Sequence, residues 1–180
     1  MLLFCILVPA WAAWMLPFLL LKRNRQRPAQ VDRRARWGFV LQAAGYFLCW
    51  VSPFWKRPPE PWRVAAAVPA FAAGVWLAWT ALRALGRQWR IDAGLNADHE
   101  LVRSGPYRFI RHPIYASMLC MLLGTGLAAT PLYLLGIAVA LFVAGTEIRV
   151  RVEDSLLESR FGGRFREYRA QVAAYLPLVR

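Results

Sequence analysis

PIYASMLCMLLGTGLAATPLYLLGIAVALFVAGTEI, residues 113–148, is the stretch that decides the fold. It has no charged side chain before Glu147 and one break, at Thr130-Pro131. Its halves, Pro113 to Ala129 and Leu132 to Ile148, each approach the ~20 apolar residues that a helix needs to cross a bilayer core of about 30 Å. Pro113 suits the first position of a helix, where no amide donor is required, and Thr130-Pro131 makes a tight turn. The stretch therefore predicts a tight helical hairpin in a membrane. Arg111-His112 precedes it and Arg149 follows it, so groups far apart in the chain are expected to emerge side by side at one membrane surface.

Three further apolar blocks lie upstream: Met1 to Leu21, Trp37 to Trp55 and Val64 to Leu82. Lys56-Arg57-Pro58-Pro59-Glu60-Pro61 separates the second from the third, because proline lacks the amide donor and clashes with the preceding turn. A signal peptide carries its positive charges before its apolar core. Here they follow it, in Lys22-Arg23-Asn24-Arg25-Gln26-Arg27, so the first block reads as a retained helix. The expected fold class is an all-α integral membrane protein with five transmembrane helices and a cytoplasmic, interfacial C-terminal helical segment. Residues 1–82 would hold the first three transmembrane helices. Residues 83–180 would form the catalytic region: a cytoplasmic loop, the last two transmembrane helices and the C-terminal interfacial helices.

Segments 22–36, 83–112 and 149–180 hold seven, six and seven of the 23 Lys and Arg residues, against three in segment 56–63 and none in the 129–131 turn. Basic residues concentrate on the cytoplasmic side of a membrane protein. Five crossings with that split put the N-terminus outside and the C-terminus in the cytoplasm. The same split explains how a chain that is 58% hydrophobic carries a formal net charge of +13. A nucleic-acid partner is not indicated, for there is no zinc-ligand spacing and no RNA-binding aromatic motif. Cys5, Cys49 and Cys120 each lie inside an apolar block without a CxxC pair, so neither a disulfide framework nor a metal site is expected. Trp37, Trp55, Trp62 and Trp89 stand near block ends and fit interfacial anchoring, whereas Trp11 and Trp76 lie mid-block and are expected to pack or to face lipid.

Three clusters outside the apolar blocks carry residues able to do chemistry. The first is Ser104-Gly105-Pro106-Tyr107-Arg108-Phe109-Ile110-Arg111-His112-Pro113-Ile114-Tyr115. Gly105-Pro106 signals a turn. His112 would sit at a helix N-terminus, where free amides and the positive dipole end favour an anionic or electron-rich ligand group. Anchoring of a helix at the interface by Arg111 and His112 accounts for the same residues. The second cluster is Glu147-Ile148-Arg149-Val150-Arg151-Val152-Glu153-Asp154. Arg149 and Glu153, at i and i+4, share a helix face. A surface salt bridge accounts for that spacing too, but carboxylates within a turn of the hydrocarbon boundary are costly and functional by default. The third cluster is Phe161-Gly162-Gly163-Arg164-Phe165-Arg166-Glu167-Tyr168. Gly162-Gly163 is expected to end one helix and start another. That last helix has Phe165, Tyr168 and Val172 on one side and is expected to lie in the interface plane, closing a cavity.

Together these clusters resemble the isoprenylcysteine carboxyl methyltransferase family and its bacterial relatives, which include phospholipid methyltransferases. The family pattern is Gly-x-Tyr, Arg-His-Pro-x-Tyr, an apolar hairpin, Arg-x-x-x-Glu-Glu, then Phe-Gly-x-x-Tyr-x-x-Tyr and a closing proline. Here stand Gly105-Pro106-Tyr107, Arg111-His112-Pro113-Ile114-Tyr115, Arg149 with Glu153-Asp154, Phe161-Gly162 with Phe165 and Tyr168, and Pro177. Two positions depart from it: Asp154 stands for the usual second Glu and Phe165 for a common Tyr. The resemblance implies S-adenosyl-L-methionine as cofactor, bound at the cytoplasmic face of a bacterial inner membrane. It implies a pocket lined by His99, Glu100, Leu101, Val102, Tyr107, His112, Pro113, Ile114, Tyr115 and Glu153, with Asp92 a further candidate. Catalysis would rest on Arg149 and Glu153, with Arg149 facing the substrate. The partners implied are a lipophilic small-molecule substrate and membrane lipids, with no metal.

Methyl transfer is an in-line displacement at a sulfonium carbon. A carboxylate acceptor is already ionised at neutral pH and needs no general base. It needs positioning and exclusion of water, and an arginine can hold it through two parallel hydrogen bonds. An amine acceptor must lose a proton, and Glu153, Asp154 or His112 could take it. Carboxyl O-methylation of an isoprenylcysteine-like substrate and N-methylation of a phospholipid or lipid amine are thus both open. Membrane sterol reductases, which bind NADPH, share a similar C-terminal pattern; Glu153-Asp154 and Phe161-Gly162 fit the methyltransferases better. No glycine-rich loop of the soluble methyltransferase kind follows a strand. Gly124-Thr125-Gly126 lies inside the fourth apolar block and is expected to ease helix packing.

Overall fold

The computed structural model describes residues 2–21, 30–51, 59–89, 94–95 and 100–175. The apolar blocks become α1 (Leu2–Leu20), α2 (Ala35–Trp50), α3 (Pro61–Leu85), α4 (Pro113–Ala129) and α5 (Leu132–Phe161), and a short α6 (Gly163–Gln171) follows. Single-turn 3-10 helices occupy Gly86–Gln88 and Gly105–Arg108. One feature lies outside the α-helical expectation. Strands β1 (Gln30–Val31) and β2 (Gly94–Leu95), two residues each, pair antiparallel and join the segment before α2 to the loop after α3.

Helices α1, α3 and α5 are long and apolar enough to cross a membrane, and α4 is a shorter apolar helix of 17 residues. Helix α2 has 16 residues. The rest of the second apolar block, with Trp55, lies outside the described residues, as does the Lys22–Arg27 cluster. Proline opens α3 and α4, as its fixed φ and missing donor favour. Helix α5 does not stop where its apolar block ends. It runs unbroken to Phe161, so Arg149, Glu153 and Asp154 ride on a rigid extension of an apolar helix.

The most extensive helix contacts are α2 along α5 and α3 along α4, with α1 against α3; the sequence neighbours α4 and α5 touch less. Small residues permit the close approach: Gly74 lies against Met121, Gly124 against the Phe71 ring and Gly126 against Leu135. Leu7, Trp14, Phe71 and Met121 form one buried cluster, and Cys49, Leu119, Leu122 and Phe142 another. Several polar groups in the helices are paired across them. Trp11 Nε1 donates to Thr125 Oγ1 at 3.1 Å, Gln42 Nε2 to Thr146 Oγ1 at 2.8 Å and the Tyr46 hydroxyl to the Met118 carbonyl at 2.6 Å. Arg63 of α3 is buried and donates to the Gly126, Leu127 and Thr130 carbonyls at the end of α4. These carbonyls sit at the negative end of the helix dipole, and that of Gly126 also accepts from the Thr130 amide at 2.9 Å.

Two sequence expectations are corrected. Trp89 is 7% exposed with its ring 5.5 Å from Phe18, so it packs inside the protein, whereas Trp37, Trp62 and Trp76 are exposed. The apolar side of α6 does not lie open for a membrane surface either. Phe165, Tyr168 and Val172 are buried against Leu101, Leu157 and Phe161, while Arg164, Arg166, Glu167 and Arg169 face outward. The reason is the tight reversal at Gly162, whose φ of 55° turns α6 back onto the end of α5. Only glycine takes that conformation without strain.

Candidate active site

His112 caps the N-terminus of α4, with Pro113 as the first helical residue. The segment before it is held from an unexpected direction. The Arg111 amide donates to the Ala173 carbonyl and the His112 amide to the Ala174 carbonyl, both at 2.8 Å. These bonds and a parallel bridge between Ile110 and Ala173 strap the chain beyond α6 beside the entry to α4. The Arg111 guanidinium donates to the Val172 carbonyl, to the Arg169 carbonyl at 3.2 Å and to Asp154 Oδ2 at 3.0 Å.

His112 lies between two carboxylates of α5. Its Nε2 is 2.9 Å from Asp154 Oδ1 and its Nδ1 is 3.4 Å from Glu153 Oε2. Glu153 Oε1 accepts from the Tyr115 hydroxyl and lies 3.6 Å from Arg149 Nη2. The Arg149 guanidinium sits 5.2 Å from the centre of the Tyr115 ring, within cation–π reach. Tyr175 is buried and donates to Glu147 Oε1 at 2.8 Å. Tyr168 donates to the Tyr107 carbonyl, tying α6 to the turn before α4.

Buried charges destabilise unless they are paired, and the pairing here sets the protonation states. Burial alone would lower the His112 pKa, but its hydrogen bonds to Asp154 and Glu153 outweigh that and raise it to about 9. Burial raises the Glu153 and Asp154 carboxyls. The His112 bonds, with Arg149 beside Glu153 and Arg111 beside Asp154, more than offset it and hold both below the ordinary carboxylate range. Around neutral pH the cluster is therefore three cations, Arg111, His112 and Arg149, interleaved with two carboxylates.

The structure brings together His112, Tyr115, Arg149 and Glu153, four of the residues expected at the site from the sequence. Pro113 and half-buried Ile114 form the first turn of α4 beside them, and Tyr107 is buried in the preceding 3-10 turn. Glu100 is exposed, Val102 is half-buried, and Leu101 packs under α6. His99, Asp92, Leu176 and Pro177 lie outside the described residues. Three features were missed: the double contact of Asp154, the carbonyl clasp on Arg111, and Tyr175 over Glu147. The Glu-Asp pair was a visible signal for the first. The clasp is made by backbone carbonyls, which no residue type announces. Among the described residues no group of three or more His, Cys, Asp or Glu is placed to hold a metal ion.

Comparisons with known proteins identify relatives of the chain. The chain is 32% identical over 97 residues to the cobalt-zinc-cadmium resistance protein CzcN of Cupriavidus metallidurans, covering 53% of this chain and 44% of that one. It is 32% identical over 90 residues to a protein-S-isoprenylcysteine O-methyltransferase of Schizosaccharomyces pombe, covering 47% and 36%. A protein of the same name from Tribolium castaneum is 32% identical over 85 residues, covering 47% and 30%. The chain thus spans less than half the length of each of these relatives. The phospholipid methyltransferase family matches residues 62–164, more than half of the chain. That span runs from the start of α3 into α6 and holds Arg111, His112, Tyr115, Arg149, Glu153 and Asp154. With its apolar helices and this shared segment, the chain is an integral membrane protein that belongs to the phospholipid methyltransferase family.

Proposed function

We propose that the protein is an S-adenosyl-L-methionine-dependent methyltransferase that esterifies a carboxylate on a lipophilic, isoprenylcysteine-like substrate. In this reading five helices cross a bacterial inner membrane, the N-terminus is outside, and the site opens to the cytoplasm. The observation that carries it is the convergence of His112, Glu153 and Arg149 where α4 and α5 meet. The donor set suits the cofactor. Glu153 can hold an ammonium or ribose hydroxyls, and the α4 N-terminus with the His112 imidazolium suits a carboxylate. His99, Glu100, Leu101, Val102, Tyr107, Pro113, Ile114 and Tyr115 complete the proposed pocket. When bound, the cofactor supplies a methyl group on a sulfonium sulfur. Arg149 holds the acceptor carboxylate through its planar fork.

The electrostatics favour a carboxylate over an amine. An amine must give up a proton before it attacks, yet Glu153 and Asp154 are held in their ionised forms by His112 and the arginines, which makes them weak bases. Three cations against two carboxylates also favour an anionic partner. The two relatives named protein-S-isoprenylcysteine O-methyltransferase support the same choice. The family description, phospholipid methyltransferase, favours N-methylation of a lipid amine as the second reading.

The test uses membranes containing the full chain, methyl-labelled S-adenosyl-L-methionine and a farnesyl-thioether carboxylate. Label released as methanol by mild base identifies an ester; base-stable label in the lipid extract sinks the carboxylate reading in favour of N-methylation. Separately, His112→Ala and Glu153→Ala are each expected to weaken S-adenosylhomocysteine binding by roughly 1–3 kcal/mol, the scale for a buried partner left unpaired. Unchanged affinity in both folded variants would move the cofactor pocket elsewhere.

A further inference from the structure

Helix α2 lies outside the 62–164 segment shared with the family, yet it touches the site. Gly38 is buried where α2 crosses α5. A β carbon added there would collide with the Gly145 carbonyl and would lie 2.6 Å from Arg149 Cγ. Gly145 and Arg149 are one helical turn apart, so the Gly38 backbone rests on the α5 backbone and on the stem of Arg149 at once. The register of this contact is held one turn along α2, where buried Gln42 donates to Thr146. With α2 pressed against its stem, the Arg149 side chain is directed toward Tyr115 and Glu153, and it is 11% exposed.

We propose that Gly38 is a positioning residue for Arg149, so that a helix outside the family segment sets where the acceptor carboxylate is held. The missing side chain makes room for the arginine stem. A methyl group at this position takes that room, and the guanidinium leaves its place over Tyr115. This rests on the reading of Arg149 as the group that holds the acceptor.

The test compares Gly38→Ala with Gly45→Ala in the full, detergent-purified chain. The Gly45 change is the control, because its β carbon would meet the Ala138 carbonyl at 2.6 Å on the same pair of helices, two turns along α2 from Gly38 and away from Arg149. S-adenosylhomocysteine binding is measured by calorimetry, and initial rates with the farnesyl-thioether carboxylate. Gly38→Ala is expected to raise the acceptor KM on the order of tenfold or more, the scale of a misplaced binding group, with cofactor affinity unchanged. Gly45→Ala is expected to lower the melting temperature and leave the KM alone. Equal KM values in the two variants overturn the proposal, because the effect is then only that of spreading the helices. Should Gly38→Ala not fold, Gly38→Ala/Arg149→Ala removes the Cγ collision and leaves the Gly145 carbonyl collision in place: a higher yield of folded protein than from Gly38→Ala supports the contact, and an equal yield overturns it, because the carbonyl alone then excludes a side chain at position 38. Arg149→Lys separates the two levels of the argument. Normal transfer by that variant overturns the reading of Arg149 and the proposal with it. Impaired transfer alongside a normal KM in Gly38→Ala overturns the proposal alone.

Discussion

Asp154 offers the sharpest test of how the charge cluster is built. Its two oxygens face different cations, Arg111 Nη2 at 3.0 Å and His112 Nε2 at 2.9 Å, and its side chain is 10% exposed. Asp154→Asn keeps the shape but leaves one acceptor oxygen. If that oxygen faces Arg111, the amide NH2 faces His112, which can then meet it only as neutral imidazole. If it faces His112, the NH2 confronts a guanidinium. Either way one charge-assisted hydrogen bond is lost, about 1.5–3 kcal/mol. At roughly 2–4 °C per kcal/mol for a chain of this size, the melting temperature near pH 7 is expected to fall by about 3–12 °C. The pH dependence carries the sign. The His112 pKa is 6.5 when unperturbed and about 9 in the fold. Its contribution to stability is thus fully present below about 6.5 and is lost as the pH rises through about 9. Glu153 and Asp154 have lowered values, so theirs is present above the ordinary carboxylate range and is lost as the pH falls through those lowered values. The wild type should melt highest between about pH 5 and 6.5. The gap to Asp154→Asn should narrow as the pH rises through about 9, because His112 is then neutral in both proteins. Intrinsic fluorescence of the nine tryptophans, followed against temperature from acid to alkaline pH, measures this. A variant that melts with the wild type at pH 7, or a gap of the same size at every pH, would refute the reasoning.

Two further outcomes concern the frame around the site. Arg63→Ala removes the donor that serves three carbonyls at the end of α4 and is expected to cost roughly 2–3 kcal/mol. Because Arg63 sits at the opposite end of α4 from His112, S-adenosylhomocysteine affinity should not change; calorimetry on the folded variant showing weaker binding would contradict a purely structural role. Reporter fusions after residues 60 and 130 are expected to report the outside, and those after 30, 100 and 180 the cytoplasm, from the distribution of Lys and Arg. A cytoplasmic signal after residue 130 would break the hairpin and separate the two halves of the site.

Much of the helical framework was legible in the sequence because apolar blocks and proline breaks are local signals. Pro113 to Ala129 became α4 with the bounds read from the chain, and Gly162-Gly163 divided α5 from α6 as expected. The convergence of His112, Arg149 and Glu153 was legible too, since a short turn at Thr130-Pro131 leaves the hairpin few other geometries. What was not legible depends on how whole helices meet. The pairing of α2 with α5, the burial of the α6 apolar side and the clasp of the 172–174 carbonyls on Arg111 and His112 are set by contacts between distant segments. An amphipathic pattern states that a face will be covered; it does not state whether lipid or protein covers it, and in α6 Leu157 and Phe161 win.

The same distinction explains why Asp stands at position 154. Successive residues on a helix point about 100° apart, so Glu153 and Asp154 leave α5 in different directions. Glu153 turns toward Tyr115 and Arg149 and is 24% exposed, while Asp154 turns inward to Arg111 and His112. A residue that faces a ligand has its length set by that ligand. One that bridges two buried cations has its length set by the distance between α5 and the segment before α4. Here that distance is met with good geometry at both oxygens by the shorter acid, at 2.9 and 3.0 Å. The carboxylate pair is thus two devices on adjacent residues. Glu153 is presented to the proposed pocket, and Asp154 holds His112 charged and Arg111 in its clasp.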